Sequence, residues 1–441
     1  MKRFLRILRP VEDFMRSESI AGILLMISAV VALVVANSPL AEAYHHIWEY
    51  KISINFGGHV IDKSIHHWIN DGLMSMFFFV VGLELKREII AGELSNFRKA
   101  LLPLAAAAGG MVAPALIFLL FNFDTPGENG WGIPMATDIA FALGILSLFG
   151  KRVPVSLKVF LTALAIADDL GAVLVIALFY TSDISFLNLG AGIVLIMVLL
   201  AGNYLGVRNT LFYSLIGIGG VWFAFLTSGV HATIAGVLAA AAIPARTKID
   251  ELAFLHRLEL LTHRFREIPP NDVNLLEPEQ YNVLEKIHLL TLQATTPLQR
   301  LEHMLHPFVA FVVMPLFAFS NSGIELSGEF FNRTFFEGVS MGIVSGLLVG
   351  KFVGVVGMTW LLHKLKVARL PHDMTWSHVA IIGVLAGIGF TMSLFVTNLA
   401  FTDVRLINEA KVGVFVASTI AGLTGYFLLK IVLKKNVTPK P

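Results

Sequence analysis

The stretch LTALAIADDLGAVLVIALFY, residues 161–180, sets two adjacent aspartates, Asp168 and Asp169, in an otherwise almost wholly apolar run. Two further ionisable side chains lie in similar surroundings, Asp138 in GIPMATDIAFALGILSLFG and Lys351 in SGLLVGKFVGVVGM. A charge at the centre of a membrane helix costs roughly 2.5–3.5 kcal/mol even on mild insertion scales. Each of the four must therefore be compensated or used. Lys351 lies too deep in its run to snorkel, and a buried ammonium needs a counter-charge, for which these aspartates are the candidates. Adjacent helical residues point about 100° apart, so Asp168 and Asp169 cannot do the same job. One can face Lys351 while the other faces a water-filled funnel. A carboxylate with nearby hydroxyls and backbone carbonyls suits a hard monovalent cation. Burial disfavours the charged form, so protons compete with the cation for the same oxygens. A site that holds either ion but not both exchanges them once access alternates. A purely structural ion pair would account for Asp168 with Lys351 but would leave Asp169 without a partner.

The elements that must position these groups follow from composition. The chain has 441 residues, 56% hydrophobic and only 15% charged, against about 25% charged in soluble proteins. The excess arrives in blocks of about twenty residues, long enough to cross a bilayer. The reading is an all-α polytopic membrane protein forming a single transporter domain over 1–441. Twelve spans are expected near 19–36, 70–85, 99–121, 134–149, 154–180, 186–202, 208–226, 230–244, 305–322, 337–362, 376–399 and 409–434. Alternate connections carry 26 Lys and Arg against 5 in the others, so the positive-inside rule puts both termini in the cytoplasm. MKRFLRILRP and the apolar run after it are read as a retained first span, because Glu12, Asp13 and Glu18 interrupt any leader. With no Cys, disulfides and thiolate metal sites are excluded; no cofactor and no nucleic-acid partner are expected. The run YKISINFGGHVIDKSIHHW predicts a small external β-hairpin around Gly57-Gly58. Residues 245–304 read as a polar cytoplasmic insertion with one amphipathic helix, ELAFLHRLELLTHRF.

Two spans are wrong for continuous helices. The fourth is short and opens with Pro134 before Thr137-Asp138; the eleventh carries Gly383, Gly387 and Gly389 before Thr391 and Ser393. Glycine costs about 1 kcal/mol in a helix interior relative to Ala, and opened backbone survives in a membrane only inside protein or along a cavity. Helices 3–5 and 10–12 run in opposite senses, and the broken member is the middle one of each triplet. Interrupted helices at matching positions of inverted halves point to an ion site at the midplane. The core repeats are thus placed at 99–180 and 337–434, with broken helices 4 and 11 crossing at the midplane. The remaining helices lie at 19–85 and 186–322. Asp138 is placed to offset positive half-helix ends and Lys351 negative ones.

ATDIAFALGIL, ALAIADDLGAV, SGVHATIAGV, LEHMLHPFVAF, MPLFAFSNSGI, GLLVGKFVGV and GIGFTMSLF resemble the bacterial NhaA-type sodium/proton antiporters, from about residue 20 to residue 400. That family is itself a type case of inverted repeats with broken helices. The resemblance implies Asp169 as principal ion ligand and Asp168 as the partner of Lys351, with sodium held at Asp168 and Asp169. Thr137 and Asp138 would lie at the crossing of the extended chains, with Gly387, Gly389 and Thr391 in the unwound part of the eleventh helix. It implies electrogenic exchange of cytoplasmic Na+ or Li+ for external H+, activated at alkaline pH, in the bacterial inner membrane. The matched regulatory positions are Glu84, Arg87 and Glu88 in GLELKRE, Glu302, His303 and His306 in LEHMLHP, and His231 in SGVHAT. A reading from the residues alone makes the GLELKRE charges a solvated helix end. His303 and His306, three apart beside a carboxylate, fit a cytoplasmic proton sensor better than a metal site. The hairpin at 51–64 matches the element that pairs two protomers. The long 245–304 segment departs from short-looped members.

An intramembrane aspartyl protease also uses two buried carboxylates, but on separate helices, one in a Gly-x-Gly-Asp context; here GIGF lacks the Asp and the carboxylates adjoin. A passive cation channel has no need of Lys351 within the site. The expectation is a transporter and not an enzyme.

Overall fold

The computed structural model describes residues 18–56, 59–181, 184–269, 275–324 and 338–435. The basic leader before Glu18, the hairpin tip Gly57-Gly58, Arg333 and Lys440 lie outside the described residues. The chain is mostly helical, as long apolar runs must be where no water is available to backbone N–H and C=O groups. Helix α1 (Glu18–Ala36) turns through 113° into α2 (Ala41–Glu49). The expected hairpin follows as β1 (Lys51–Phe56) and β2 (His59–Ser64), antiparallel, with Lys51 opposite Ser64 and Phe56 opposite His59. A helical turn at Ile65–His67 and a wide turn at Trp68–Leu73 lead into α3 (Met74–Ala91). Then come α4 (Phe97–Asn122), a tight 3-10 segment at Glu128–Met135, α5 (Ile139–Ser147), α6 (Val155–Phe179) and α7 (Phe186–Tyr204). They are followed by α8 (Thr210–Ser228), α9 (Ala232–Ala242), α10 (Glu251–Glu267), α11 (Pro278–Ala294) and α12 (Pro297–Asn321). The last are α13 (Gly338–Lys364), α14 (Trp376–Leu385), α15 (Phe390–Ala400) and α16 (Val404–Lys435).

Among the described residues, eight helices are long and apolar enough to cross a membrane, or ten if each of two bent pairs counts as one span. The stretches expected at 70–85 and 230–244 coincide with α3 and α9. Helix α3 carries Glu84, Lys86, Arg87 and Glu88 in its second half, and α9 has only 11 residues. Three boundaries differ from expectation. The fourth stretch starts earlier than 134, with the 3-10 segment containing Pro134, and is non-helical at 136–138 before α5. Helix α12 begins at Pro297, not 305, because Thr296 and Gln299 form a capping box that starts it. The 245–304 insertion holds two helices instead of one, α10 and α11, packed on each other. Pro278 at the first position and a Glu277–Gln280 capping box begin the second.

Helix α6 runs through the centre: 67% of its apolar window is buried, against 17% for α7. Helix α4 packs closely on α13, and glycine permits it. A Cβ on Gly354 would stand 2.1 Å from the Gly109 carbonyl, and one on Gly109 would stand 2.4 Å from that of Gly354. Small residues at such a crossing let two backbones touch inside a membrane. The approach turns Lys351 inward, so that Nζ would lie 3.9 Å from a Cβ on Gly110.

Candidate ion site

The two breaks meet and satisfy one another. Helix α14 ends in tight turns, with Gly387 N–H donating to Val384 O at 3.0 Å and Ile388 N–H to Leu385 O at 3.1 Å, before α15 departs at 44°. The freed Ile388 carbonyl accepts from Asp138 N–H at 2.7 Å. The Thr137 hydroxyl lies 2.9 Å from Ala386 O and 2.6 Å from Asp168 Oδ2. Gly387 serves close approach here, not a left-handed backbone: a Cβ there would meet Leu347 O at 2.6 Å.

Asp138 caps two half-helices at once. Its Oδ1 accepts from Phe141 N–H at 2.9 Å in the first turn of α5; its Oδ2 accepts from Thr391 N–H at 3.1 Å, and from the Thr391 hydroxyl, in the first turn of α15. A carboxylate facing two N-termini is stabilised by the unpaired N–H groups and by both helix dipoles. Ser393 Oγ donates to Ile133 O at 2.8 Å, and Phe390 N–H donates to Ser418 Oγ at 3.0 Å. Ser418, in mid α16, has no signal in the sequence beyond being a small polar residue in an apolar helix.

Lys351 Nζ donates to Asp168 Oδ2, and both side chains are fully buried. The expected contact of Lys351 with Asp168 is present, and at the end of α14 the Thr137 hydroxyl meets the Ala386 carbonyl. Asp169 is the exception in the cluster. It is 0% exposed, and neither carboxylate oxygen has a hydrogen-bond partner among the described residues; Asp168 Oδ1 is likewise unpartnered. The predicted 100° divergence is visible in the surroundings. Asp168 turns to α13 and the broken stretches, whereas Asp169 lines a cavity of about 10 Å³ with Val81, Gly82 and Leu85 of α3, Leu170 and Val173 of α6, and Val237 of α9. That void is at the lower limit for one water molecule. The expected water-filled funnel is therefore closed at Asp169, by apolar side chains of α3 and α9.

The expected regulatory residues divide. Arg87 pairs with Glu302 and, at 3.2 Å, with Glu88; His306 Nε2 lies 4.0 Å from Glu84 Oε1. These five come together where α3 ends and α12 begins. Beside them Lys86, which the sequence reading left out, donates to Ala241 O at 2.7 Å and Ile243 O at 2.5 Å, capping α9. His303 points elsewhere, lining a surface cavity with Thr295, Gln299, Arg300 and Met304. His231 lies at the opposite end of α9, about 16 Å away along eleven residues, where Nε2 contacts Tyr180 O at 2.7 Å.

A lysine–aspartate pair, a free carboxylate and two mutually bonded helix breaks inside a helical membrane bundle are the equipment of a secondary ion transporter. Residues 12–429 match the family described as Na+/H+ antiporter 1. The chain belongs to that family, one of transporters and not of enzymes. It is 50% identical over 430 residues to the Na(+)/H(+) antiporter NhaA of Oleidesulfovibrio alaskensis, covering 97% of this chain and 95% of the relative. It is 45% identical to Na(+)/H(+) antiporter NhaA 1 of Saccharophagus degradans, covering 97% and 92%. It is 47% identical to Na(+)/H(+) antiporter NhaA of Acidithiobacillus ferrooxidans, covering 98% and 100%.

Proposed function

We propose that this protein expels cytoplasmic Na+, and Li+, in exchange for external H+, electrogenically and under control of cytoplasmic pH. The observation that carries the reading is the Asp169 carboxylate, fully buried with both oxygens unpartnered among the described residues, beside the equally unpartnered Oδ1 of Asp168. An unpaired carboxylate in such a place is stable only with a proton or a cation on it. Binding one therefore displaces the other, and Asp168, already engaged by Lys351 and Thr137, supplies a second oxygen at Oδ1. Thr137 and Asp138 hold the crossing. Net charge movement couples exchange to the membrane potential at about 2.3 kcal/mol per charge per 100 mV.

The wider reading has twelve spans in the bacterial inner membrane, both termini cytoplasmic, with inverted repeats at 99–180 and 337–434. The cluster of Glu84, Arg87, Glu88, Glu302 and His306 senses cytoplasmic pH, with a contribution from His303, while His231 bears on regulation from the other end of α9. Two copies pair through the 51–64 hairpin.

The test uses everted membrane vesicles carrying a respiration-driven pH gradient. Added Na+ or Li+ collapses the gradient with the parent protein, K+ does not, and Asp169→Asn abolishes the response. Normal exchange by Asp169→Asn removes this site assignment, and an equal response to K+ removes the choice of ion.

A further inference from the structure

At the other end of α15 from Asp138 lies a second polar cluster that the site does not use. Asn398 Nδ2 on α15 donates to Asn321 Oδ1 on α12 at 2.7 Å, and Asn321 Nδ2 donates to Asn70 Oδ1 at 3.0 Å. His66 Nε2 lies 3.1 Å from Asn321 Oδ1, and Asn70 Nδ2 lies 3.3 Å from both ring nitrogens of His66. Asn321 is 0% exposed and Asn70 8%. The Asn321 amide orientation is set by the Phe317 carbonyl, which its Nδ2 meets at 3.0 Å. Asn321 Oδ1 is therefore an acceptor, so His66 carries its proton on Nε2 and donates there, leaving Nδ1 free to accept from Asn70. Four side chains, from α15, α12, the turn at Trp68–Leu73 and the helical turn at Ile65–His67, thus close one network with a consistent set of donors and acceptors.

The geometry points to an external latch: His66, Asn70 and Asn321 hold Asn398, and with it the outer end of the broken span, and the latch must part for the ion site to open outward. The inference rests on the proposed exchange and orientation. Asp169 has no exposure in this structure, and α15 begins at the break that Asp138 caps, so in the proposed outward opening α15 moves relative to α12 and to the segment carrying His66 and Asn70. The latch is the polar contact across that boundary, while Asp138 holds the inner end of the same half-helix. His66 acts here as a positioning residue.

The latch has a defined sensitivity to acid. A second proton on His66 would convert Nδ1 into a donor, and Asn70 Nδ2 would lose its acceptor. Rotating the Asn70 amide to compensate would break its bond from Asn321. The groups facing His66 oppose that proton. Burial, then Lys411 of α16, push the ring down to about 4; the Asn321 bond pulls the other way, and His67 adds to the depression. A folded-state value below the usual 6.5 means the network's contribution is complete above about 6.5 and is lost as pH falls through about 4. The latch is closed across the neutral range and is released by opening, not by ordinary external acidity.

The chain has no cysteine, so Thr397→Cys, one residue before Asn398 and fully buried, offers a single reporter thiol. In right-side-out vesicles a membrane-impermeant thiol reagent should label it several-fold faster when His66→Leu or Asn398→Ala is added. His66→Gln, which can donate and accept from one amide, should restore the slow rate. In transport, His66→Leu should change the maximal rate more than the KM for Na+, with recovery in His66→Gln. Unchanged labelling in both His66→Leu and Asn398→Ala overturns the latch, whatever the transport result. Equal labelling in His66→Gln and His66→Leu reduces the cluster to packing and overturns it too. If the parent fails to exchange Na+ for H+ while latch variants label faster, the exchange reading falls and the latch stands.

Discussion

Two clusters of charged residues, one at the centre of the bundle and one at the junction of α3 with α12, use similar side chains in opposite solvents. In the centre, Asp138, Asp168, Asp169 and Lys351 are all essentially without exposure. At the junction the Arg87 side chain is 42% exposed and that of His306 47%, while Glu302 is largely covered. Removing one partner of a fully buried pair leaves an uncompensated charge and costs about 3–5 kcal/mol, whereas exposed pairs are worth about 0–1 kcal/mol. In the proposed function the central cluster therefore commits the protein to one ion or another. The junction can only bias it, and a bias of that size suits regulation.

The sharpest break of this contrast is Asp169→Asn. Transport in the vesicle assay should vanish while the thermal unfolding midpoint in detergent holds or rises, because an unpartnered carboxylate is removed. A large fall in that midpoint would make Asp169 a structural residue. Next in size is Lys351→Ala, expected to lower stability by about 3–5 kcal/mol through the stranded Asp168 charge. Lys351→Met combined with Asp168→Asn should recover most of that loss, and additive losses in the pair would contradict the ion pair. Asp138→Ala should cost about 1 kcal/mol for each of the two helix caps it removes, whereas Asp138→Asn, which still caps, should cost less. The smallest effect is expected at the junction. Arg87→Gln should change stability by about 1 kcal/mol or less yet shift the pH at which exchange begins, leaving the alkaline rate near parental. An unchanged pH profile in Arg87→Gln would separate this cluster from regulation.

Much of this arrangement was legible in the sequence because membrane helices advertise themselves and charges inside them are rare. The divergence of Asp168 from Asp169 follows from helical geometry alone, and the hairpin from two β-prone runs around a Gly pair. The start of the fourth stretch was placed too late, near 134, because a 3-10 segment carries Pro134 within it; the opening falls where Asp138 finds Ile388. The closed funnel was not legible, since how Val81, Leu85 and Val237 pack around Asp169 is a matter of conformation, not of residue type. Nor was the asparagine latch. Asn70, Asn321 and Asn398 sit 251 and 77 residues apart along the chain, and a lone asparagine near a helix end has no pattern to find.

The bond between Asp138 N–H and Ile388 O also bears on how the protein is made. Asp138 and its other partner, Thr391, are 253 residues apart. At a synthesis rate of about 5–20 residues per second, the first break waits roughly 13–50 s before the second emerges. For that interval an open backbone turn and an unneutralised carboxylate must be sheltered by water, by neighbouring chain or by the insertion machinery. Nascent chains that stall before residue 388 lack the partner that closes the first break.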